Sequence, residues 1–412
     1  MSTATTPHAP AQELAPPPNG RVAAAGIAGI IALGGAILVG HGVQQTLLFA
    51  IGLGLGLALY HARFGFTSAF RQLLAVGSAE GIRAHALMLA AASVLFAPIL
   101  SAGVGAFGTE PAGYVAPLGI SVVVGAFLFG VGMQLGGACA SGTLFAIGGG
   151  HSTIVLTLGG FIVGSVIGAA HWGFWTQDLA HLGVGPVSFA DTPLGYPGAL
   201  LITLALLGAL VAVTTAVSRR RNPPPAGRPA AAAGLWRVVR GAWPLWVGAV
   251  VLAGLNALTL LVAGRPWGVT GAFALWGSKA AETIGVDVRA WEYWAGEAAA
   301  PLDASVLADI TSVMNFGIIL GALVAAAVGG TFALHRRIPL KVGAAAILGG
   351  ILMGYGARLA FGCNIGAYFG GIASFSAHGW AWGALALAGT WAGLKVRPLF
   401  GLANPKPTDS VC

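Results

Sequence analysis

Long segments without a single charged residue dominate this chain of 412 residues. Asp, Glu, Lys and Arg are absent from 22–60, 84–109, 111–177, 192–218, 241–264, 310–335, 342–357 and 359–394. A helix needs roughly 20 apolar residues to cross a bilayer, whereas membrane β-barrels show alternating polar and apolar residues. Only 8% of the residues are charged, against about 25% in soluble domains. The sequence therefore predicts an all-α polytopic membrane protein and argues against a soluble enzyme.

Glycine, proline and histidine clusters divide these segments into about ten candidate transmembrane spans. We place them at 22–40, 43–61, 85–106, 114–133, 152–171, 197–217, 242–263, 311–333, 338–357 and 377–395. With both termini cytoplasmic, the loops rich in arginine and lysine all fall inside, as the positive-inside rule requires. The acidic cluster from Glu282 to Asp309 then falls outside. The net charge of +8 thus reflects topology, and no nucleic-acid partner is expected.

An internal repeat is visible in two places. Residues 64–70 resemble 267–273, with Gly, Thr, Ala and Phe identical at matching positions. Residues 125–145 align without gaps on 349–369, which pairs Cys139 with Cys363 in a chain that has only three cysteines. One connecting span separates the two copies, so they enter the membrane from opposite faces. Inverted repeats of this kind place a substrate site near the midplane of the membrane.

The repeat predicts how the chain is organised. We expect a disordered cytoplasmic tail at 1–20, an extra transmembrane helix at 21–41, a first repeat at 42–172, an outer loop and connecting helix at 173–217, a basic cytoplasmic linker at 218–240, a second repeat at 241–396 and a cytoplasmic tail at 397–412. Re-entrant loops are expected at 64–75, 134–150, 266–279 and 358–376. Irregular backbone at membrane depth must be buried or line a cavity. Four such loops predict an hourglass-like bundle with a central constriction, which indicates transport.

The two cysteines carry the chemistry expected at this constriction. Cys139 and Cys363 each precede a short apolar run that can form a half-helix, whose N-terminus favours an anion. A polarisable sulfur suits a soft, sulfur-containing anion. One cysteine alone is usually a packing residue, but the matched positions favour a function. The other predicted substrate-binding residues are Thr67, Thr270, Gln134, Arg358, Asn364, Ser141 and Thr143. No metal-ligand spacing is present, and no cofactor is expected.

On these residues the chain resembles the YeeE/YedE family of sulfur transporters, which includes bacterial thiosulfate importers. The matching motifs are GMQLGGACASGT at 132–143, GRPWGVTG at 264–271 and GARLAFGCNIGAYFGG at 356–371. The resemblance implies an inner-membrane protein that passes thiosulfate along cysteines by transient S–H···S contacts. Cys139 and Cys363 match two of the family's three functional cysteines, whereas Thr67 stands where the third is expected. A small cytoplasmic sulfur carrier protein is the implied partner.

The prediction is a permease without enzymatic activity that takes up a small sulfur-containing anion, with thiosulfate as the first expectation. Thr67 in place of a cysteine leaves sulfite or another sulfur or selenium species open. A channel for a neutral solute is a second alternative, although both cysteine loops lack the Asn-Pro-Ala signature of water and glycerol pores. A membrane dithiol redox protein is a third, and it requires the two cysteines within about 7 Å between Cα atoms.

Overall fold

The fold is known from a computed structural model that describes residues 16–223, 236–334 and 337–406. Its α-helices are α1 (Gly20–Ala62), α2 (Phe66–Ala75), α3 (Glu80–Ala102), α4 (Ile120–Leu135), α5 (Ala140–Gly148), α6 (Ser152–Ala170), α7 (Gly195–Arg221), α8 (Arg237–Arg240), α9 (Leu245–Ala263), α10 (Thr270–Thr283), α11 (Ala300–Asp303), α12 (Ile310–Val328), α13 (Leu340–Leu359), α14 (Gly371–Ala373) and α15 (Ala377–Val396). A π-helical segment, Asn364–Gly370, precedes α14. The strands β1 (Leu118–Gly119) and β2 (Gly183–Val184) pair antiparallel. Most of the predicted N-terminal tail, the middle of the linker and the end of the C-terminal tail lie outside the described residues.

Eight segments of the described chain are long and apolar enough to cross a membrane. They are Gly20–Ala75, Glu80–Ala102, Ile120–Gly148, Ser152–Ala170, Gly195–Arg221, Leu245–Ala263, Ile310–Val328 and Leu340–Leu359. This architecture confirms the prediction of an all-α polytopic membrane protein. The span predicted at 377–395 is a 20-residue helix, α15, but its glycines and tryptophans make it less apolar than the others.

The first two predicted spans form the two limbs of α1. Gly42 interrupts the helix with φ +80° and ψ −173°, a conformation open to glycine. Before this residue, Gly26 faces Val324 and Gly29 faces Leu320 of α12. After it, the contact partners on α12 rise with the residue number, from Met314 opposite Gly52 to Ile318 opposite Gly56. The two limbs therefore run in opposite directions along the same helix, as a hairpin.

Glycines allow the long helices to pack backbone against backbone. A Cβ atom on Gly56 would meet the carbonyl group of Ile318 in α12, and one on Gly164 of α6 would meet that of Ile351 in α13. The four helices carry glycines spaced four residues apart at these interfaces, including Gly317 and Gly321 on α12. Such small-residue spacing lets transmembrane helices approach closely. Glycines at this spacing therefore allow the close packing of these four helices.

The helix contacts occur in matching pairs. The contact between α1 and α12 corresponds to the contact between α9 and α3. Likewise, the contact between α6 and α13 corresponds to the contact between α15 and α4. The same exchange relates the contact of α2 with α15 to that of α10 with α6. Each pair matches when the segment 42–172 is exchanged with 241–396, the two predicted repeat units.

The bundle has two ends that differ in charge. At the basic end, Arg221 donates a hydrogen bond to the carbonyl of Leu74 (2.9 Å), and Trp243 N donates to the carbonyl of His61 (2.8 Å). At the acidic end, Ala112 N donates to the carbonyl of Gly264 (2.8 Å). The acidic end also carries the loop between α10 and α12, in which Arg289 forms ion pairs with Glu282 and Asp303.

Candidate functional site

Each of the two matched cysteines stands at the N-terminus of a short helical segment. Cys139 is the N-cap of α5, and Cys363 is the N-cap of the π-helical segment Asn364–Gly370. Both thiols are buried, with 2% and 1% of their surface exposed. The amide N–H of Ile365 donates to Cys363 Sγ at 3.4 Å. The half-helices predicted after both cysteines are therefore present, and their free N–H groups favour negative charge near the thiols.

The cysteine segments meet in the interior of the bundle. α5 contacts the segment Asn364–Gly370 directly. The thiols of Cys139 and Cys363 are close enough to interact electrostatically. The first re-entrant helix, α2, reaches the same place, because the rings of Phe66 and Tyr368 make an edge contact with centroids 6.2 Å apart. Elements from both halves of the chain thus meet around the two thiols.

The residues five positions before each cysteine contact the matching threonines. Gln134 Nε2 donates to the backbone carbonyl of Thr67 at 3.3 Å. Arg358 Nη2 donates to the hydroxyl of Thr270 at 2.6 Å. Thr67 and Thr270 are equivalent in the repeat, as are Gln134 and Arg358. In each half of the chain, a hydrogen bond therefore connects the cysteine loop with the threonine-bearing re-entrant segment. The two residues that form this bond occupy equivalent positions in the two halves.

A cavity of about 250 Å³ opens at the acidic end and reaches Cys363. Its lining includes the side chains of Arg265, Thr270, Tyr293, Arg358 and Cys363. Arg358 is buried, with 6% of its surface exposed, whereas Arg265 is exposed nearer the solvent. The Arg358 guanidinium lies 5.6 Å from the centre of the Tyr293 ring, and its Nη1 donates to the Tyr293 hydroxyl at 2.5 Å.

The cavity carries two positive charges that no described carboxylate neutralises. Arg265 donates to the hydroxyl of Thr311 at 3.3 Å, and Arg358 donates to hydroxyl groups only. Neither arginine forms an ion pair within the described residues, and the described lining contains no Asp or Glu. Arg358 Nε has no hydrogen-bond partner there either. Guanidinium groups with free donors in a partly enclosed cavity suit a small oxoanion.

Several polar atoms deeper in the bundle lack partners among the described residues. They are Thr67 Oγ1, Gln134 Oε1 and both side-chain amide atoms of Asn364. Buried polar groups are nearly always satisfied, and other atoms in the bundle, such as Ser165 Oγ and Thr203 Oγ1, also lack partners among the described residues. The atoms of Thr67, Gln134 and Asn364 all belong to the re-entrant segments.

The remaining predicted residues lie close to Cys139. Ser141 Oγ is 3.6 Å from Cys139 Sγ, within hydrogen-bonding range for sulfur. Thr143 donates its hydroxyl hydrogen to the Cys139 carbonyl at 2.8 Å. Ser141 thus contacts the thiol directly, whereas Thr143 holds the backbone of the turn. In the described residues, no group of three or more His, Cys, Asp or Glu side chains is arranged to hold a metal ion.

Four residues near the site were not predicted from the sequence. Tyr114, whose hydroxyl donates to the Phe361 carbonyl, Tyr293 and Arg265 line the cavity, and Arg397 Nη1 donates to the Gln134 carbonyl at 2.5 Å. Arg265 lies within the motif at 264–271, and its charge inside that motif could have identified it as a site residue. Tyr114, Tyr293 and Arg397 come from distant loops that no local pattern connects with the cysteines.

The fold and site define a polytopic helical membrane protein with re-entrant half-helices around two buried thiols. A sequence model of the Sulphur transport family matches residues 61–392. The chain therefore belongs to the Sulphur transport family.

Similar proteins include members with transporter names. The chain is 34% identical to the probable transporter YedE of Escherichia coli K12 over 173 residues, which cover 40% of this chain and 42% of that protein. It thus spans about two fifths of the length of the YedE relatives that it matches. The thiosulfate transporter TsuA of Spirochaeta thermophila is 27% identical over 366 residues, which cover 83% of this chain and 95% of TsuA. TsuA of Escherichia coli K12 is 26% identical over 82% of this chain and 90% of its own length.

Proposed function

We propose that this protein takes up a small sulfur-containing anion, thiosulfate foremost, across the bacterial inner membrane. The observation that carries the proposal is the cavity at the acidic end, where Arg265 and Arg358 supply two positive charges without a carboxylate and Cys363 lies at the inner boundary. Family membership and the TsuA relatives, which are named for thiosulfate transport, support the same substrate class. A neutral solute would gain little from two unpaired guanidinium groups.

The charge of the two ends supports an orientation with the acidic end outside. The basic end carries the arginine cluster Arg219–Arg221 at the end of α7, and the positive-inside rule places such loops in the cytoplasm. The cavity then faces the periplasm. An anion enters from that side, where the two arginines compensate for the loss of its hydration.

The cysteines provide the proposed route through the constriction. The Cys363 thiol donates a hydrogen bond to the terminal sulfur of thiosulfate, and the Cys139 thiol receives the anion next, since α5 contacts the Cys363 segment. Both steps exchange hydrogen bonds without forming a covalent bond, so the anion leaves unchanged. The unpartnered groups of Asn364, Gln134 and Thr67 replace water during the passage. A small cytoplasmic sulfur carrier protein is the proposed recipient.

A sulfur-starved bacterial host that lacks its own uptake systems tests the proposal. The host expresses the wild-type chain or an empty vector and receives thiosulfate, sulfite, sulfate or cysteine as its only sulfur source. We expect the wild-type chain to permit growth on thiosulfate, with cysteine supporting both strains equally. Growth on sulfite alone would assign a different anion. No growth above the vector control on any inorganic source would refute uptake of sulfur anions.

A further inference from the structure

Two arginines at the basic end of the bundle, opposite the cavity, are close enough for their charges to interact. Arg71 is half-buried on α2, which packs against α15, and Arg397 follows α15 directly. Only 8% of the Arg397 surface is exposed. Burial, and after it the nearby charge of Arg71, lower the pKa of Arg397 to about 10. Arg397 therefore remains positively charged at neutral pH.

Neither charge is neutralised by the described part of the chain. Arg397 donates to the carbonyls of Gln134 (2.5 Å) and Ala403 (2.8 Å) and to Asn404 Oδ1 (2.9 Å), all of them neutral groups. Arg71 forms no hydrogen bond or ion pair with the described residues. Two like charges repel each other more where water is partly excluded than in bulk water. An anion between them would remove that repulsion.

The pair is connected to the constriction through residues of the candidate site. Arg71 follows Thr67 by four residues on α2, so the two side chains share one face of that helix. Arg397 holds the carbonyl of Gln134, whose side chain donates to Thr67. An anion that leaves Cys139 past Gln134 and Thr67 would therefore reach Arg71 and Arg397 next.

This pair is not a copy of the arginines that line the cavity. The repeat pairs Thr67 with Thr270, which makes Ala274 the equivalent of Arg71, and it pairs Arg358 with Gln134. The two halves thus differ in where they supply positive charge, yet each end of the path has two arginines. Duplication of one ancestral repeat therefore does not account for the position of Arg71, because the equivalent residue in the second half is Ala274.

We propose that Arg71 and Arg397 form an anion-binding exit site that holds the transported sulfur oxoanion at the cytoplasmic end before release. The site rests on the proposed function, because its ligand is the transported dianion. Two guanidinium groups match a dianion better than a monoanion. Arg71 is the residue to test, because Arg397 also holds the backbone of the cysteine loop.

Side-specific transport kinetics of the full chain test this site. Radiolabelled thiosulfate flux is measured in right-side-out and inside-out vesicles for the wild type, Arg71→Gln and Arg71→Lys. Arg83→Gln serves as the control, because Arg83 is an exposed arginine near the same end. A hydrogen bond to a charged group contributes about 1.5–3 kcal/mol. Loss of such a contact corresponds to roughly a tenfold or larger rise in KM.

We expect Arg71→Gln to raise the KM for thiosulfate on the cytoplasmic side about tenfold and to leave the KM on the outer side within about twofold. Without a driving force, Vmax/KM must be equal in both directions, so Vmax for efflux rises together with its KM. Arg71→Lys restores most of the affinity, and Arg83→Gln matches the wild type. An Arg71→Gln variant whose KM is unchanged, or rises equally on both sides, would overturn the exit site alone. Absence of wild-type flux of thiosulfate, sulfite and sulfate would instead overturn the proposed function, and the exit site with it.

Discussion

Arg358 is a buried arginine whose hydrogen bonds to the described residues go to two neutral hydroxyl groups, those of Tyr293 and Thr270. A buried cation without a counter-charge is costly, and in membrane proteins such residues mark ion or substrate pathways. Its repeat equivalent, Gln134, carries no charge. Because Arg358 is charged and Gln134 is neutral, an anion is attracted more strongly to the position of Arg358, at the acidic end, where the proposed substrate enters.

Replacement of Arg358 by glutamine tests this role. We expect Arg358→Gln to raise the KM for thiosulfate about tenfold or more, because a charge-assisted contact of about 1.5–3 kcal/mol is lost, and Arg358→Lys to have a smaller effect. The matched control is Arg289→Gln at the same end, where Arg289 already pairs with Glu282 and Asp303. The measurement is uptake against thiosulfate concentration. Equal KM values for Arg358→Gln and Arg289→Gln would contradict the assignment.

Thr67 stands where the family resemblance implies a third cysteine, and its buried hydroxyl has no partner among the described residues. A hydroxyl can donate one hydrogen bond to the anion, worth about 0.5–1.5 kcal/mol. We expect Thr67→Val to slow thiosulfate uptake roughly two- to tenfold and Thr67→Cys to retain or increase it. Thr214→Val is the control, because the Thr214 hydroxyl bonds within its own helix at 2.7 Å. Wild-type uptake by Thr67→Val would show that this hydroxyl does not contact the substrate.

The sequence predicted the residues of the site that belong to repeated or local patterns. The matched positions of Cys139 and Cys363 identified both half-helices, and the spacing before them identified Gln134 and Arg358. Tyr293 and Arg397 could not be found in this way, because each reaches the site through a tertiary contact. Such contacts depend on the path of loops whose sequences show no periodicity.

At the scale of helices, close glycine contacts determine how the two halves interlock. α6 and α13 approach until Gly164 lies against the backbone of Ile351. The Ile351 carbonyl cannot move away from Gly164 without disturbing the backbone of α13. These contacts hold α13 in place, and α13 ends at Leu359, directly after Arg358.

Two glycines of the same helix should respond in opposite directions to alanine. Gly164→Ala places a methyl group against the Ile351 carbonyl, and overpacking of this kind costs about 1–3 kcal/mol. Gly159→Ala meets no atom within 4 Å and gains up to about 1 kcal/mol of helix propensity. Thermal unfolding of the purified protein in detergent should therefore show a lower Tm for Gly164→Ala and an unchanged or higher Tm for Gly159→Ala. Equal Tm values would contradict the packing argument.

The ends of the long helices were predicted within six residues, but the form of the segments that connect them was predicted less well. The bounds of α6 and α15 were predicted almost to the residue, because histidines flank α6 and charged residues follow α15. The π-helical form of Asn364–Gly370 was not predictable, because no residue pattern distinguishes a π-helix from an α-helix. The length of α10, which runs on to Thr283 beyond the predicted loop at 266–279, depends on packing with the acidic loop.

For the whole molecule, the separation of charge between the two ends makes topology the property to test. The proposed orientation places the loop that contains exposed Ser305 outside and the loop near exposed Arg83 inside. In a Cys412→Ser background, single Ser305→Cys and Arg83→Cys variants are treated with a membrane-impermeant maleimide. We expect Ser305→Cys to be labelled in intact spheroplasts and Arg83→Cys only after lysis. The reverse pattern would invert the proposed direction of the path, and labelling of both in intact spheroplasts would refute the charge-based topology.

The central claim is that the anion crosses the membrane between the Cys363 and Cys139 thiols. Anion-resolved uptake into proteoliposomes tests it most directly, with purified wild type, Cys139→Ala, Cys363→Ala and, as a control for cysteine removal, Cys412→Ala. The account predicts thiosulfate uptake by the wild type and Cys412→Ala, and at least about a tenfold loss in each of the other two variants, since each removes a hydrogen bond to a charged group. A Tm close to that of the wild type shows that a variant is folded, so that a loss of uptake cannot be ascribed to unfolding. Wild-type uptake by folded Cys139→Ala or Cys363→Ala would contradict the account.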